Sequence, residues 1–305
     1  MKKMINKTNV EGYVYQHNLA VKKSENKESK IYGQEFINGS IDIATDEDCV
    51  NIVTVYYTCV LPTFGNGNKN SSYDLLKKII EEGKTVVSDG KENATKVRLT
   101  PSVSVNDFYS NRDGEETLVS AKRLEGGFVN IINTVSPKAD FEVDMLVTKV
   151  TTVEANEERH IEKDYDKVEG YVFNYAGSVF PVSFNLYDEG GMTYFESLDA
   201  SDKTPTLLNV KGDVVSKITK VKREQEAAFG PAIVKEYEQK FREYRIVTAL
   251  PPYELGEGTL TGDELKDALQ KREIYLADVK KRQEAYQASK TNTAAAPARA
   301  DNFSW

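Results

Sequence analysis

A six-residue motif occurs twice in this chain, and it limits the available folds more than any other feature. The segment Val10–Tyr15 returns as Val168–Phe173 with one change, Tyr to Phe at the last position. Each copy begins a series of segments rich in β-branched and aromatic residues, which favour strands. Self-similarity of this kind indicates repeated structural units. We therefore expect two related β modules, with one copy of the motif in the first strand of each.

The first module follows the element order of a small Greek-key barrel. After the opening strand, apolar and polar residues alternate in Phe36–Ala44, which predicts a half-buried strand. Asn51–Val60 is rich in Val, Tyr and Thr, so these two segments are expected to pair as a hairpin. The apolar face of Tyr73–Glu82 predicts a helix, and Ala94–Val105 and Glu116–Leu124 return to strand character. Three strands, a helix and further strands are the order of an OB-fold, a five-stranded barrel.

The second module has a less regular pattern, and the helix of the first module does not repeat clearly in it. Phe141–Val153 predicts a strand that either closes the first barrel or opens the second. The residues Asp188–Gly191 are typical of a hairpin turn. The remaining elements are predicted as strands at Val179–Tyr187, Met192–Leu198, Asn209–Val221 and Tyr244–Leu250, a helical turn at Pro205–Leu208 and a helix at Ala232–Glu243.

These patterns divide the 305 residues into four segments, and the length agrees with about two domains. Residues 1–135 are predicted as the first OB-like module and residues 136–255 as a second, diverged one. Residues 256–290 are expected to form a charged amphipathic helix, and residues 291–305 a flexible tail. The predicted fold class is mainly β with α additions: tandem OB-fold-like five-stranded barrels, a C-terminal helix and a flexible tail.

The sequence offers no motif for catalysis, for a cofactor or for a metal ion. Cys49 and Cys59 are not spaced as metal ligands and are expected to be reduced thiols. His17 and His160 lack partners at ligand spacing and are expected to be solvated. A phosphate-binding glycine loop and a nucleophile motif are both missing. We therefore expect a protein that is not an enzyme and that binds no cofactor or metal.

Charge and hydropathy narrow the choice of partner and compartment. The net charge of -8 argues against binding to nucleic acid by bulk charge alone, although it permits a local basic groove. The N-terminal segment has no apolar stretch behind its positive start, and no apolar run is long enough to cross a bilayer. We therefore expect a cytoplasmic protein with no membrane partner, in the host cytoplasm if a phage encodes it.

The remaining functional signal is a set of aromatic and basic side chains on the β modules. Single-stranded nucleic acid binds where bases stack on aromatic rings and phosphates meet Lys or Arg. The alternative is ordinary structure, since strand aromatics often pack in a core and loop lysines are often only solvated. The candidates are Tyr13, Tyr15, Phe36, Tyr56, Phe108, Tyr109, Lys22, Lys23, Lys69, Lys96, Arg98, Lys122 and Arg123 in the first module and Tyr171, Phe173 and Tyr194 in the second. Among these, Tyr13, Tyr15 and Tyr56 are expected to stack bases, and Lys22, Lys69, Lys96 and Arg98 to contact phosphates.

Four segments of the first module carry a resemblance to a known family: Gly12–Val14, Phe36–Thr45, Asn51–Val60 and Glu81–Thr85. They resemble phage and bacterial single-stranded DNA-binding proteins, in a phage-type variant with two OB-like modules. The resemblance implies that the chain coats and protects unwound single-stranded DNA during replication, recombination or repair. It also implies that a C-terminal tip, here Asp301, Phe303 and Trp305, docks replication or recombination proteins. The tip departs from the family pattern because it contains a single acidic residue.

Two other classes of protein are compatible with the same pattern. The first is a phage structural or assembly protein that uses the β modules and the C-terminal helix for packing. That alternative predicts stable homo-oligomers and no affinity for DNA. An enzyme of DNA metabolism is a third possibility, and the missing catalytic cluster disfavours it.

Overall fold

The structure is a computed structural model that describes residues 3–112, 115–156, 161–225, 229, 233–256 and 258–293. The predictions for His160 and for the docking tip Asp301, Phe303 and Trp305 lie outside these residues. The described chain is mainly β, as predicted, with about half of its residues in strands, and the long charged helix follows them.

Six strands and three short or medium helices form the first half of the chain. The connection between the fourth and fifth strands holds all three helices. The elements are β1 (Asn6–His17), β2 (Ala20–Lys23), β3 (Glu35–Ala44), β4 (Ile52–Val60), α1 (Ser71–Glu82), α2 (Val86–Asp89), a 3-10 helix (Lys91–Asn93), β5 (Lys96–Arg112) and β6 (Glu115–Ile131).

Five strands and two helices form the second half. One helix again lies between the third and fourth of these strands, and the other follows the last strand. The elements are β7 (Lys138–Val153), β8 (Tyr165–Phe173), β9 (Val179–Leu186), α3 (Glu189–Ser197), β10 (Thr206–Gln225), β11 (Ile233–Ala249) and α4 (Gly262–Thr293).

The first half closes into a five-stranded barrel with the connectivity of an OB-fold. β1 pairs antiparallel with β3, and β3 pairs antiparallel with β4. β4 pairs parallel with β6, and β6 returns through β5 to β1 in antiparallel pairings. The helix α1 follows the third barrel strand, β4, as the OB order requires. β2 lies on the outer edge of β3 and extends the sheet.

The second half closes in the same order, so the prediction of two OB barrels is confirmed. β7, β8 and β9 are successive antiparallel neighbours, β9 pairs parallel with β11, and β10 links β11 back to β7. The helix α3 occupies the position between the third and fourth barrel strands that α1 occupies in the first barrel. The second module therefore does repeat the helix, contrary to the sequence-based expectation.

The repeated motif does not mark the first strand of both barrels, so that part of the prediction is wrong. Gly12 lies in β1, the first strand of barrel one, whereas Gly170 lies in β8, the second strand of barrel two. A Cβ atom on Gly12 would lie 1.9 Å from the carbonyl oxygen of Ala44, and one on Gly170 would lie 2.1 Å from that of Leu146. Each glycine therefore permits the close approach of the first and second strands of its barrel. Gly12 belongs to the first of these strands in barrel one, and Gly170 belongs to the second in barrel two.

Three further elements of the second module differ from the prediction. Asp188 accepts a hydrogen bond from the backbone N–H of Gly191 at 2.8 Å, so the predicted turn is the N-cap of α3 and the predicted strand Met192–Leu198 is helical. β10 begins at Thr206, where a helical turn was predicted. The predicted helix Ala232–Glu243 is also wrong, because Ile233 onward forms β11 in a continuous ladder with β10. Strand pairing here overrides the helical preference of a segment rich in Glu, Lys and Gln.

The two barrels share one sheet and one core. The first half of β1 pairs antiparallel with β7, from Asn6 opposite Val143 to Glu11 opposite Lys138. β7 is therefore the first strand of barrel two and at the same time a neighbour of barrel one. A single cluster of buried apolar side chains runs through both barrels, and it includes Val10 of β1 and Val143 of β7. The barrels are thus joined along their length by backbone hydrogen bonds and apolar packing.

The helix α4 connects the second barrel to the β5–β6 hairpin of the first. Near its start, Ala268 packs in an apolar cluster with Phe173 and Leu260. Further along, the Arg272 guanidinium donates to both carboxylate oxygens of Asp107 on β5, at 2.7 and 2.5 Å. In the described ranges, no helix is both long and apolar enough to cross a membrane.

Candidate nucleic-acid interface

OB-folds bind oligonucleotides on the outer face of their second and third strands and on the connections after the first and fourth strands. In barrel one this surface consists of β3, β4, the connection that contains β2, and the β5–β6 hairpin. In barrel two it consists of β8, β9, the β7–β8 connection and the β10–β11 hairpin. The fold supports the prediction that a residue binds DNA only where the residue lies on this surface and part of its side chain is accessible.

Barrel one carries an aromatic–cation pair on this surface, which we call platform one (Tyr56 and Arg123). Tyr56 is half-buried on β4, with its neighbours Val55 and Tyr57 turned into the core. The guanidinium carbon of Arg123 on β6 lies 5.5 Å from the centroid of the Tyr56 ring. Arg123 also pairs with Glu125 at 2.8 Å, which fixes the guanidinium beside the ring. Both residues were predicted to bind DNA, and the structure brings them together.

Hydrogen bonds between strands hold the surface around platform one. The Thr54 hydroxyl donates to Asp42 at 2.6 Å across the β3–β4 pairing, and the Gln16 amide donates to the same carboxylate at 2.9 Å. The Ser104 hydroxyl donates to Glu125 at 3.0 Å. Because these groups satisfy one another, Tyr56 and Arg123 lie on a rigid polar surface.

Barrel two carries an equivalent pair, which we call platform two (Tyr187 and Arg245). In the parallel pairing of barrel one, Val55 lies opposite Leu124, and in barrel two Leu186 lies opposite Ile246. All four of these side chains are buried. The next residue is Tyr56 on β4 in barrel one and Tyr187, directly after the end of β9, in barrel two. By the same register, Arg123 corresponds to Arg245. The guanidinium carbon of Arg245 lies 5.1 Å from the Tyr187 ring centroid.

Platform two is also fixed by its surroundings. The Tyr165 ring lies 5.2 Å from the Tyr187 ring, and the Lys163 ammonium lies 4.8 Å from it. The buried Glu243 carboxylate accepts from the Tyr187 hydroxyl and, at 2.7 Å, from Nε of Arg245. Burial and the hydrogen bond to Glu243 raise the pKa of Tyr187 to about 12, so this ring stays neutral.

Sequence reasoning did not identify Tyr165, Tyr187 or Arg245. A usable signal was nonetheless present in the predicted third strands. In each module a tyrosine directly follows an inward-facing apolar residue of that strand, Val55 in one and Leu186 in the other. Alignment of the two modules on their hairpins, instead of on the repeated motif, would have paired Tyr56 with Tyr187.

Lys122 lies at the junction of the two barrels. It extends from β6 of barrel one to barrel two, where its ammonium donates to the carbonyl oxygen of Ser183 on β9. The same ammonium lies 5.1 Å from the Phe184 ring centroid and 4.5 Å from that of Tyr244. Loss of hydration by burial lowers the pKa of Lys122 to about 7, although the nearby Glu243 carboxylate acts in the opposite direction.

Two of the predicted DNA-binding aromatics, Tyr13 and Phe173, are buried, so the structure contradicts their assignment. Tyr13 is 8% exposed and packs with Ala44 and Ala94, while the Lys91 ammonium lies 5.1 Å from its ring. Phe173 is 1% exposed in the apolar cluster beneath α4. Neither ring has a free face for a base, so both residues contribute to packing instead.

Three other predicted aromatics are engaged in packing at the edges of the cores. Tyr15 lies against the cluster that contains Tyr13, and Tyr171 lies against the cluster beneath α4. Tyr194 belongs to the helix α3 instead of a strand, and its ring meets that of Phe195 edge-on at 5.7 Å. These positions do not place the three rings beside either platform's cation.

The β2–β3 edge and the β5–β6 hairpin retain some of the predicted residues on the binding surface. Phe36 on β3 is half-buried and lies opposite Lys22 on β2, whose ammonium donates to Asn38 at 3.2 Å. Phe108 on the hairpin is 39% exposed. Tyr109 is covered by α4, because Gln283 makes two hydrogen bonds to its backbone, at 3.0 and 2.9 Å.

Most of the other predicted cations lie away from the platforms. Arg98 pairs with the buried Glu11 at 2.6 Å, and Lys96 on the same strand donates to the carbonyl oxygen of Asn133 at 3.5 Å. Both are on β5, which β6 separates from β4 in the barrel. Lys69 pairs with Asp74 at 2.9 Å in the connection to α1. Lys23 is exposed on β2.

The histidine and cysteine side chains form no metal site in the described part of the chain. His17 is half-buried instead of solvated, and burial lowers its pKa. Cys49 and Cys59 are free thiols, and burial raises the pKa of each. Among the described residues, no group of three His, Cys, Asp or Glu side chains could hold a metal ion.

Comparison with known proteins gives one family and seven similar chains among the solved structures, two of which are named below. A family model described as YorF matches residues 5–282. The wild-type single-stranded DNA binding protein from Thermus aquaticus is 8% identical, with 85% of this chain and 98% of that chain covered and a TM-score of 0.46. A deletion and point mutant of the same protein is 9% identical, with 84% and 98% covered and a TM-score of 0.46. No curated protein has a matching sequence.

Proposed function

We propose that this chain, which belongs to the YorF family, binds single-stranded DNA and catalyses no reaction on it. The observation that carries the proposal is the equivalence of the two platforms. The same tyrosine–arginine pair recurs at the same register position of two OB barrels, on the surface that OB-folds use for oligonucleotides. A role in packing alone does not require this pair to be kept accessible in both barrels.

The chemistry of the pairs fits single-stranded nucleic acid better than duplex. Each base of a single strand exposes a π face that can stack on a tyrosine, and stacking tolerates any sequence. The adjacent guanidinium is planar and pairs well with phosphate. In a duplex, the base faces are covered by their neighbours in the stack, and a single half-buried ring such as Tyr56 cannot reach them.

The proposed binding relies on local cations because the chain as a whole is acidic, with a net charge of -8. Lys22, Arg123, Lys163 and Arg245 lie on or beside the proposed surfaces. Phosphate contacts release counterions, so affinity is expected to fall as salt rises. The protein would then coat and protect unwound DNA in the cytoplasm during replication or recombination, with the C-terminal tip as the docking site for other proteins.

A titration of fluorescently labelled oligo-dT by anisotropy tests the proposal, with a duplex of equal length as the control. The expected result is tight binding to the single strand, weak binding to the duplex, and a linear fall of log affinity with log salt concentration. Equal or tighter binding to the duplex would overturn the proposal. Stable homo-oligomers with no affinity for either DNA would favour the structural or assembly role.

A further inference from the structure

We propose that Lys122 binds a backbone phosphate at the junction of the barrels, where one single strand crosses from platform one to platform two. This inference rests on the proposed function and deepens it. It makes the two platforms parts of one continuous site, with a phosphate centre between them, instead of two separate sites.

The position of Lys122 in the fold is the first support. It precedes Arg123 of platform one on β6, and its ammonium reaches β9 and β11 of barrel two, the strands on which platform two is built. The two barrels also meet nearby through Asn51, whose side chain donates to the carbonyl oxygen of Val214 at 3.1 Å and accepts from the N–H of Ser216 at 2.6 Å. Lys122 thus lies at a direct contact between the two barrels.

A second support is the unused hydrogen-bonding capacity of this ammonium. A lysine ammonium carries three N–H donors, and here one of them is directed at Ser183. Within the part of the chain that the structure describes, no carboxylate oxygen lies within 4.0 Å of Nζ. A cation removed from water without a counter-ion is unfavourable. A phosphate oxygen would supply both the missing charge and the missing acceptors.

Charged groups of both signs surround Lys122. Lys167 on β8 and Arg242 on β11 lower the pKa of Lys122, whereas Glu243 on β11 raises it. Glu243 is already occupied, because it accepts from Arg245 at 2.7 Å, from Asn185 at 2.6 Å and from the Tyr187 hydroxyl. Lys167 is likewise occupied, because it pairs with Glu169 at 2.5 Å. Within the described residues, the ammonium of Lys122 has no carboxylate within 4.0 Å and remains available to an anion.

Platform one adjoins the same junction. Burial raises the pKa of Tyr244, and the hydroxyl of Tyr56 contributes to that rise from the other barrel. The Tyr244 ring is one of the two that lie beneath the Lys122 ammonium. The Tyr56 hydroxyl of platform one and the Lys122 ammonium therefore both act on Tyr244 of barrel two.

The proposal predicts that DNA binding takes up a proton. In the free protein the pKa of Lys122 is about 7, so this side chain is largely neutral at pH 8 to 9. A bound phosphate would raise that pKa towards its ordinary value of 10.5. The contribution of protonated Lys122 to DNA affinity is complete below pH 7 and is lost as pH rises. The Kd for DNA should therefore increase by nearly tenfold per pH unit above about 7.

The experiment measures the Kd for oligo-dT from pH 6.5 to pH 9.5 at fixed salt, for the full chain and two variants. Lys122→Arg keeps its charge at every pH, so its Kd should stay low and flat. Lys122→Gln has no charge, so its Kd should be flat and should match that of the wild type only at high pH. The proposal is overturned if all three proteins show the same pH dependence. Absence of oligo-dT binding at any pH would instead refute the proposed function itself.

Calorimetry on the unmodified protein covers the case in which a variant fails to fold. Titrations with oligo-dT at pH 8 in buffers of different ionisation enthalpy give the number of protons taken up, and a value close to one is expected. A value of zero would contradict the proposal. Inorganic phosphate serves as the second ligand, and proton uptake with phosphate that equals the uptake with oligo-dT would show a simple anion site without a crossing strand.

Discussion

The aromatic part of the proposed interface rests on two tyrosine residues, and neighbouring cations hold both rings in place. Tyr56 has one guanidinium beside its ring, and Tyr187 has a guanidinium and an ammonium. A ring that is already fixed loses little conformational freedom when a base stacks on it, so more of the stacking energy is available for binding.

Replacement of either tyrosine by alanine should weaken binding to oligo-dT without loss of folding. The loss of one stacked base costs about 1–3 kcal/mol, so Tyr56→Ala and Tyr187→Ala should each raise the Kd roughly 5- to 150-fold in anisotropy titrations. Tyr175→Ala is the matched control, because this tyrosine is 95% exposed in the turn at the other end of the β8–β9 hairpin. An equal effect of all three substitutions would argue against the platforms.

Some residues of the two platforms were predicted from the sequence and others were missed, and the difference has a physical reason. Tyr56 could be named from the sequence because it is an aromatic residue in a strongly predicted strand, and Arg123 because it is a cation in the predicted strand Glu116–Leu124. Tyr187 and Arg245 were missed because the two modules were aligned on the repeated motif. That motif lies in the first strand of barrel one but in the second strand of barrel two. Tyr13 and Phe173 were misassigned, because alternation alone does not show which outward ring a neighbouring segment covers.

The repeated glycine can be tested as a packing requirement. Gly170→Ala places a Cβ atom 2.1 Å from the backbone oxygen of Leu146, and backbone cannot move aside as a side chain can. The free energy of unfolding, measured with urea, should fall by at least about 1–3 kcal/mol, the usual range for overpacking. Gly65→Ala is the control, because a Cβ there meets nothing within 4 Å, and its effect should be small.

Among the secondary-structure elements, α4 has the clearest separable role. It packs on barrel two at its start and holds the β5–β6 hairpin of barrel one through Arg272 and Gln283. The hairpin belongs to the proposed binding surface, so α4 positions part of that surface. The helix binds the backbone of Tyr109, whereas Phe108 on the same hairpin is 39% exposed.

Arg272→Ala should release α4 from the hairpin. The substitution leaves the buried carboxylate of Asp107 without its partner, and loss of one member of a buried ion pair costs about 3–5 kcal/mol. Hydrogen exchange in α4 should become faster, and the protein should unfold at lower urea concentration. Arg282→Ala is the control, since its pair with Asp278 is exposed on the same helix and should contribute less than about 0.5 kcal/mol. Similar effects of the two substitutions would show that Arg272 does not anchor the helix.

The elements of barrel one were predicted better than those of barrel two. In β3, β4 and α1, local periodicity and tertiary role agree, so the sequence pattern was sufficient. In α3 and β11 they disagree: the Asp188–Gly191 segment has turn composition but caps a helix, and β11 has helical composition but completes a barrel. The composition of β11 favours a helix, and only its pairing with β10 and β9 makes it a strand.

For the molecule as a whole, the decisive feature is that the barrels share a sheet. The β1–β7 pairing and the common core fix the barrels relative to one another, so the two platforms and Lys122 keep a constant arrangement. Under the proposed function, a DNA strand bound at one platform would be held near the other, and the second contact would be made at high effective concentration. Independent barrels on a flexible linker would gain much less from their second site.

This arrangement predicts a threshold in the dependence of affinity on DNA length. One OB-fold covers roughly 4–16 nucleotides, so oligo-dT that is too short to leave the first barrel should bind weakly, and affinity should rise steeply once the strand reaches the second. Anisotropy titrations with a length series measure this rise, and Tyr187→Ala should remove it while short oligonucleotides bind the variant as before. A gradual increase that only follows the number of available binding registers, and that is the same in Tyr187→Ala, would show that the barrels bind DNA separately. Because β1 and β7 are hydrogen-bonded neighbours, such a result would also require the strand to avoid the junction that contains Lys122.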